Sequence, residues 1–228
     1  MKEEKTEEQK LPNQPWPWLD LRLTKEAIDH LWEIINQQGP PPEVGSVLQR
    51  QASFGGPNNK VNNIVDFTFG GDNWFFENVL KKLSENLYYK DWNNYYNVHI
   101  GQSVPPPVFE LKEMWVNHQK QHEYIPPHKH GALFSFVVFM KIPTHWKEQQ
   151  ALPWLKNVAE SCVSDFQFIL GTGMGSVQTI PISLCPEDEG RMLFFPAWLT
   201  HQVFPFYECE KERITISGNI IPKINVNT

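Results

Sequence analysis

Cysteine is scarce in this chain and widely scattered: Cys162, Cys185 and Cys209 are the only three in 228 residues. An odd number without any C-x-x-C spacing argues against a disulfide framework and against a paired-thiolate zinc site, and fits a reducing, intracellular setting. Long apolar runs are missing too. None approaches the ~20 residues that a membrane helix requires, and the opening "MKEEKTEEQKLP" has no apolar stretch of the kind a signal peptide carries. Basic charge is not in excess, with Lys+Arg 20 against Asp+Glu 26 and a net charge of -6. No field stands ready for a nucleic-acid backbone. A soluble, cytoplasmic protein with neither membrane nor nucleic acid as partner is the expectation.

The length suits one domain whose core needs no covalent support. Residues 1–14 read as a disordered charged tail, and 15–228 as a single domain with a helical part over 15–94 and a β core over 95–222. Thr24 is placed to cap "KEAIDHLWEIINQQ", in which Ala27, Leu31, Ile34 and Ile35 form an apolar stripe, and Gly39 with the three prolines after it ends the helix. "NIVDFTF" reads as a short strand. Asp72 then caps a second helix, "NWFFENVLKKLSENLYY", with Trp74, Phe75, Val79, Leu83 and Leu87 mostly on one face. Past residue 95 the texture changes to short β-rich segments between turn signals: "YYNVHI", "VFELKEMWVN", "ALFSFVVFMKI", "DFQFIL", "SVQTIPIS", "RMLFFPAW", "HQVFPF" and "RITISGNII". The fold class is therefore mainly β with N-terminal helices, its core of roughly eight strands forming a jelly roll.

Chemistry concentrates at "YIPPHKHG", residues 124–131, just before an apolar strand. On an extended chain His128 and His130 point to one face and Lys129 to the other. Two converging imidazoles begin a metal site, and a third ligand is expected from another strand, with His201 in "GRMLFFPAWLTHQVFPF" the candidate. Twelve residues later Arg213 opens "RITISGNI", where alternation puts Arg213, Thr215 and Ser217 on one face. His118 and His122, four apart, suit a helical zinc pair, but they lie among strand segments and read as a polar hairpin. His30, His99 and His145 read as surface or hydrogen-bonded core residues. "GTGMGS" at 171–176 reads as a turn, since no P-loop lysine or helix follows it. Trp198, Phe204, Phe206 and Phe136 read as core or pocket wall.

The ordered set His-x-His, His, Arg resembles that of the Fe(II)/2-oxoglutarate-dependent oxygenases, in particular the prolyl-hydroxylase-like members found in bacteria and phages. The residues that carry the likeness are "WVN" at Trp115 to Asn117, "PPHKH" at Pro126 to His130, "FSFVVFMKIP", "GRMLFFPAWLTHQVFPF" and "RITISGNI", over roughly residues 110–221. The resemblance implies a double-stranded β-helix of the jelly-roll or cupin-like kind, Fe(II) as metal, and 2-oxoglutarate as cosubstrate. It implies His128 and His201 as iron ligands, Arg213 as the partner of the far cosubstrate carboxylate, Thr215 as its helper, and Asn117 as a further cosubstrate neighbour. The reaction implied is hydroxylation of a small molecule or peptide with release of succinate and CO2. The cell would be the bacterium, or the host of a phage.

One position departs from the pattern. Where the family has a carboxylate two residues after its first histidine, this chain has His130. Either His130 is itself the third ligand, or a carboxylate such as Glu123 takes that place. Three neutral imidazoles leave Fe(II) its full +2 charge, which 2-oxoglutarate at -2 would neutralise. Two other readings stay open: a three-histidine cupin-type metalloenzyme without 2-oxoglutarate, and a non-catalytic phage-associated β-sandwich protein. Arg213 could also pair with Glu210 or Glu212 at the surface. The first helix could serve as the face of a homodimer.

Overall fold

A computed structural model describes residues 17–38, 64–65, 74–88, 107–158, 161–171 and 175–223. The charged tail, Gly39 to Pro42, the Asp72 cap, His99, the "YYNVHI" strand and residues 172–174 lie outside them. Two antiparallel sheets form the body. A six-stranded sheet has the order β1 (Leu19–Arg22), β8 (Arg191–Pro196), β5 (Phe134–Lys141), β10 (Arg213–Pro222), β3 (Phe109–Gln119), β2 (Ile64–Val65). A four-stranded sheet has the order β4 (Ile125–His128), β9 (Thr200–Val203), β6 (Phe166–Gly171), β7 (Val177–Ile182). This is the mainly-β architecture expected. The strands β3 and β5 to β10 fall on segments read from the sequence.

The larger sheet is covered on both sides, which explains why "FSFVVFM" is an unbroken apolar run rather than an alternating one. Val137, Phe139, Leu193 and Phe195 face the smaller sheet and meet Phe166, Phe168 and Leu184. Phe136, Val138, Met192 and Phe194 join a second cluster, with Ala27, Leu31, Ile34 and Ile35 of α1 (Lys25–Gln38). That helix matches its sequence reading at both ends, and the Ala27 amide donates to Thr24 Oγ1 at 3.3 Å as a cap should. The second helix opens as a π-helical turn, Phe76–Leu80, and continues as α2 (Lys81–Tyr88). The wider turn moves the inward face, so Phe75, Phe76, Leu80 and Leu87 are buried while Val79 and Leu83 are only partly covered.

Two strands were not legible. β1 comes from "PWPWLDLRL", where its pairing with β8 is fastened by Arg191 donating to both oxygens of Asp20, at 2.8 and 2.6 Å. β4 contains two prolines, residues ordinarily read as strand breakers. It lies at the outer edge of its sheet, where proline is tolerated. Gly218 in β10 is a close-approach glycine: a Cβ there would stand 2.6 Å from the Phe136 ring and 2.8 Å from the Glu113 carbonyl. Among the described residues no helix is long and apolar enough to cross a membrane.

Candidate active site

His128 ends β4 and His201 lies in β9, and the two are cross-strand partners. His130 is not on the strand. It sits two residues past its end, where its amide donates to the Ala197 carbonyl at 2.9 Å. Strand alternation therefore does not account for the approach of His130 to His128; a backbone contact with the loop before β9 holds His130 in place. The ligand nitrogens of the three rings lie within 4.8 Å of one another.

The tautomers of two rings follow from their neighbours. His128 Nδ1 is 2.8 Å from the Pro126 carbonyl, and His201 Nδ1 is 2.9 Å from the Leu199 carbonyl. A carbonyl oxygen only accepts, so each ring carries its proton on Nδ1 and presents a bare Nε2 to the cluster, the arrangement that orients metal-ligating histidines. His130 Nε2 stands 3.4 Å from His201 Nε2. Burial pulls His130 down to about 4 and His201 down to about 3, with the neighbouring histidines adding to the effect in each case. The rings are neutral donors at ordinary pH.

From this cluster a pocket runs between the sheets, enclosing about 570 Å³ of space that includes open solvent at its mouth. Its far wall is the β3–β10 pair, where Arg213 faces Gln119, Thr215 faces Asn117, and Ser217 faces Trp115. Asn117 Nδ2 donates to Thr215 Oγ1 at 3.2 Å and to Ser217 Oγ at 3.1 Å. Arg213 is 1% exposed, which overturns the alternative of a surface pair with Glu210 or Glu212. Those carboxylates accept instead from Gln121 and from His118. Both terminal nitrogens of the guanidinium are held. Nη1 donates to Gln119 Oε1 at 3.2 Å, Nη2 to the Ser164 carbonyl at 2.9 Å and to its hydroxyl at 2.6 Å, and one face lies 5.2 Å from the Phe206 ring centre. Its Nε is buried, with no partner among the described residues.

Burial draws Arg213 down to about 10 against the pull of Asp165. Asp165, itself 1% exposed, is pushed up to about 6 by burial, with the Ser183 hydroxyl and Arg213 opposing. Sequence reasoning missed Gln119, Ser164 and Asp165. Ser164 holds φ 70, a left-handed conformation in a non-glycine residue, and no pattern in "CVSD" announces it. Glu123 is not in the cluster; its carboxylate accepts from the Lys120 amide at 2.7 Å in the turn after β3. His122 occupies that turn and His118 the end of β3, so neither is on a helix, but β3 and β4 belong to different sheets and the expected hairpin is instead a crossing from one sheet to the other. Phe136 lines the pocket and Phe206 underlies Arg213, whereas Trp198 is 56% exposed and is neither core nor wall.

Residues 113–219, the segment that supplies Arg213, the histidines and the pocket walls, match a family model described as "Putative 2OG-Fe(II) oxygenase". That segment, a little under half of the chain, is similar to a 2OG-Fe(II) oxygenase domain. Three solved structures resemble it loosely. A 2OG-Fe(II) oxygenase family oxidoreductase from Burkholderia pseudomallei is 11% identical, with 64% of this chain covering 57% of that one at TM-score 0.36. A prolyl-4-hydroxylase from Pseudomonas putida is 10% identical, with coverages of 91% and 89% and TM-score 0.38. The non-heme α-ketoglutarate-dependent epimerase SnoN of nogalamycin biosynthesis is 12% identical, with coverages of 90% and 78% and TM-score 0.46. No curated protein matches the sequence.

An oxygenase domain of this family works with Fe(II) and 2-oxoglutarate, and the residues present fit both. Neutral imidazoles suit Fe(II), and two of the three have their bare nitrogens fixed by backbone carbonyls. A buried guanidinium with an unpartnered Nε suits a carboxylate, whose oxygens accept charge-assisted hydrogen bonds.

Proposed function

We propose that the oxygenase domain holds Fe(II) on His128, His130 and His201 and holds the far carboxylate of 2-oxoglutarate on Arg213, and that it hydroxylates a small molecule or a peptide. The observation that carries this reading is a single pocket lined at once by the three imidazoles and a fully buried arginine. A buried guanidinium whose Nε has no partner among the described residues, and whose charge only Asp165 among them favours, is costly to maintain unless a further anion is its normal companion.

Iron and 2-oxoglutarate together supply the oxygen activation, which ends in succinate, CO2 and an oxidised substrate. The chain supplies everything else. The Pro126 and Leu199 carbonyls fix the rings of His128 and His201. Gln119 and Ser164 aim Arg213 into the pocket. Asn117 binds Thr215 and Ser217, keeping the floor beside Arg213 polar but satisfied. Phe136, Phe139, Phe166 and Phe195 line the remaining walls and keep bulk water from the reacting centre.

The substitution of His130 for a carboxylate is consistent with this chemistry. Iron keeps a charge of +2, so the dianionic cosubstrate is attracted more strongly than to a site carrying an acidic ligand. It also motivates a second reading, a three-histidine centre at which the substrate itself is the chelator. One assay separates them. With Fe(II), O2 and 2-oxoglutarate, we expect slow succinate formation even without substrate, abolished in His201→Ala. An iron-loaded chain that makes no succinate and is not stabilised by 2-oxoglutarate belongs to the second reading.

A further inference from the structure

At the opposite end of β5 and β8 from the three histidines, two loops meet. The segment after β5 carries His145, and the segment after β7 carries Cys185 and Glu187. The Trp146 amide donates to the Leu184 carbonyl at 3.0 Å and ties the two loops together. One nitrogen of His145, the sulfur of Cys185 and a carboxylate oxygen of Glu187 all lie within 4.8 Å of one another. We propose that these three residues form a second metal site, for Zn2+ or a divalent cation of similar softness, which clips the two loops together behind the arginine end of the pocket.

The donor set decides the metal class. An imidazole, a thiolate and a carboxylate, all close enough to share one ion, suit Zn2+ better than a hard oxygen-seeking cation. A water offers the fourth position, and Asp188, whose Oδ2 accepts from the Cys185 amide and stands 3.2 Å from its sulfur, lies just outside the ligand group. The other oxygen of Asp188 is already engaged by Arg22 and Arg191, which steadies the side chain. His145 Nδ1 now accepts the Lys147 amide at 3.1 Å, so ligation through that nitrogen exchanges one helix-cap bond for a metal bond. Burial, with Asp188 and Glu187 beside it, pushes the Cys185 thiol up to about 11. A bound cation reverses that balance, because Glu187 then becomes a co-ligand of a thiolate.

The position gives the clip a purpose. Thr144, next to His145, has its hydroxyl 3.3 Å from that of Ser164, and Ser164 in turn receives Arg213 Nη2 at 2.6 Å. Ser183, two residues before Cys185, opposes the upward shift of Asp165 beside Arg213. Both clipped loops therefore reach the shelf on which the guanidinium rests.

Cobalt reports the site directly. Co2+ added to the metal-free full chain gives an intense near-ultraviolet charge-transfer band when a thiolate binds it, and imidazole or carboxylate ligands do not. We expect the band in the wild type and in His128→Ala, and its loss in Cys185→Ser. If Cys185→Ser does not fold, retention of the band in a Cys162→Ser/Cys209→Ser double variant assigns it to Cys185 by elimination. No band in the folded wild type, or a band that survives Cys185→Ser or disappears from the double variant, overturns the proposal. Retention in His128→Ala keeps this outcome separate from that of the proposed iron site.

Discussion

His130 Nε2 and His201 Nε2 face each other across 3.4 Å, with the proton of His201 committed to the Leu199 carbonyl. Only a proton on His130 or a cation in the cluster relieves the opposition of two lone pairs at that distance. The arrangement is poised for a metal, and His130 is the residue that makes it unlike a site with an acidic third ligand.

His130→Asp tests that difference. The acidic side chain can still ligate iron, but it removes one unit of positive charge from the site. We expect retained iron binding and weaker 2-oxoglutarate binding, on the order of tenfold, equivalent to about 1.4 kcal/mol. His130→Ala should instead lose iron, by more than the ~10–100-fold that disturbing an outer-sphere partner costs. Iron titration and cosubstrate titration on each variant check both statements.

Ser164→Ala removes the hydroxyl that receives Arg213 at 2.6 Å while leaving the carbonyl contact. The guanidinium is then aimed less firmly. We expect the KM for 2-oxoglutarate to rise several-fold with kcat little changed, read from succinate formation, since uniform binding is what is lost.

Acid should destabilise the metal-free chain. His130 and His201 titrate near 6.5 when unfolded and only at about 4 and about 3 when folded. Between these limits the unfolded chain holds more protons, so their contribution is fully present above pH 6.5 and is lost as pH falls toward 3. Asp165, raised to about 6 in the fold, acts in the opposite sense between 6 and its ordinary 3.8. His128, also lowered by burial, acts with these two, so the histidines outweigh Asp165 and the urea midpoint should drop from pH 7 to pH 5. His201→Ala should flatten that dependence by about one proton.

Gly218→Ala should cost about 1–3 kcal/mol, because the new methyl must displace the Phe136 ring or the Glu113 backbone. A lowered thermal midpoint with an unchanged spectrum of folded secondary structure is the expected result. Phe136→Leu in the same chain should return part of the loss.

Much of this was legible in the sequence because the decisive signals are local. Thr24 and the apolar stripe of α1 specify a helix by themselves, and "RITISGNI" alternates visibly enough to put Arg213, Thr215 and Ser217 on one face. His128 and His201 stood out as residue types beside strands. What escaped depends on contacts distant in sequence. β1 exists because Arg191 grips Asp20 171 positions away, and the proline-bearing β4 is tolerable only at a sheet edge. Ser164, Asp165 and Gln119 surround Arg213 through a left-handed turn and a cross-strand pair, neither of which leaves a mark in composition or spacing. Trp198 was misjudged because an aromatic between two strands ordinarily packs inward, whereas here the turn before β9 holds it outward.

The most direct test of the iron and cosubstrate assignments is an anaerobic titration. Fe(II) is added first and 2-oxoglutarate second, while the weak visible charge-transfer band of a chelated 2-oxo acid is followed in the wild type and in Arg213→Ala. We expect the band in both, with the variant requiring at least tenfold more 2-oxoglutarate to reach it, about 1.4 kcal/mol or more of lost binding. Iron that binds without producing a band, or a band whose midpoint is the same in Arg213→Ala, would contradict the placement of 2-oxoglutarate between the three histidines and Arg213.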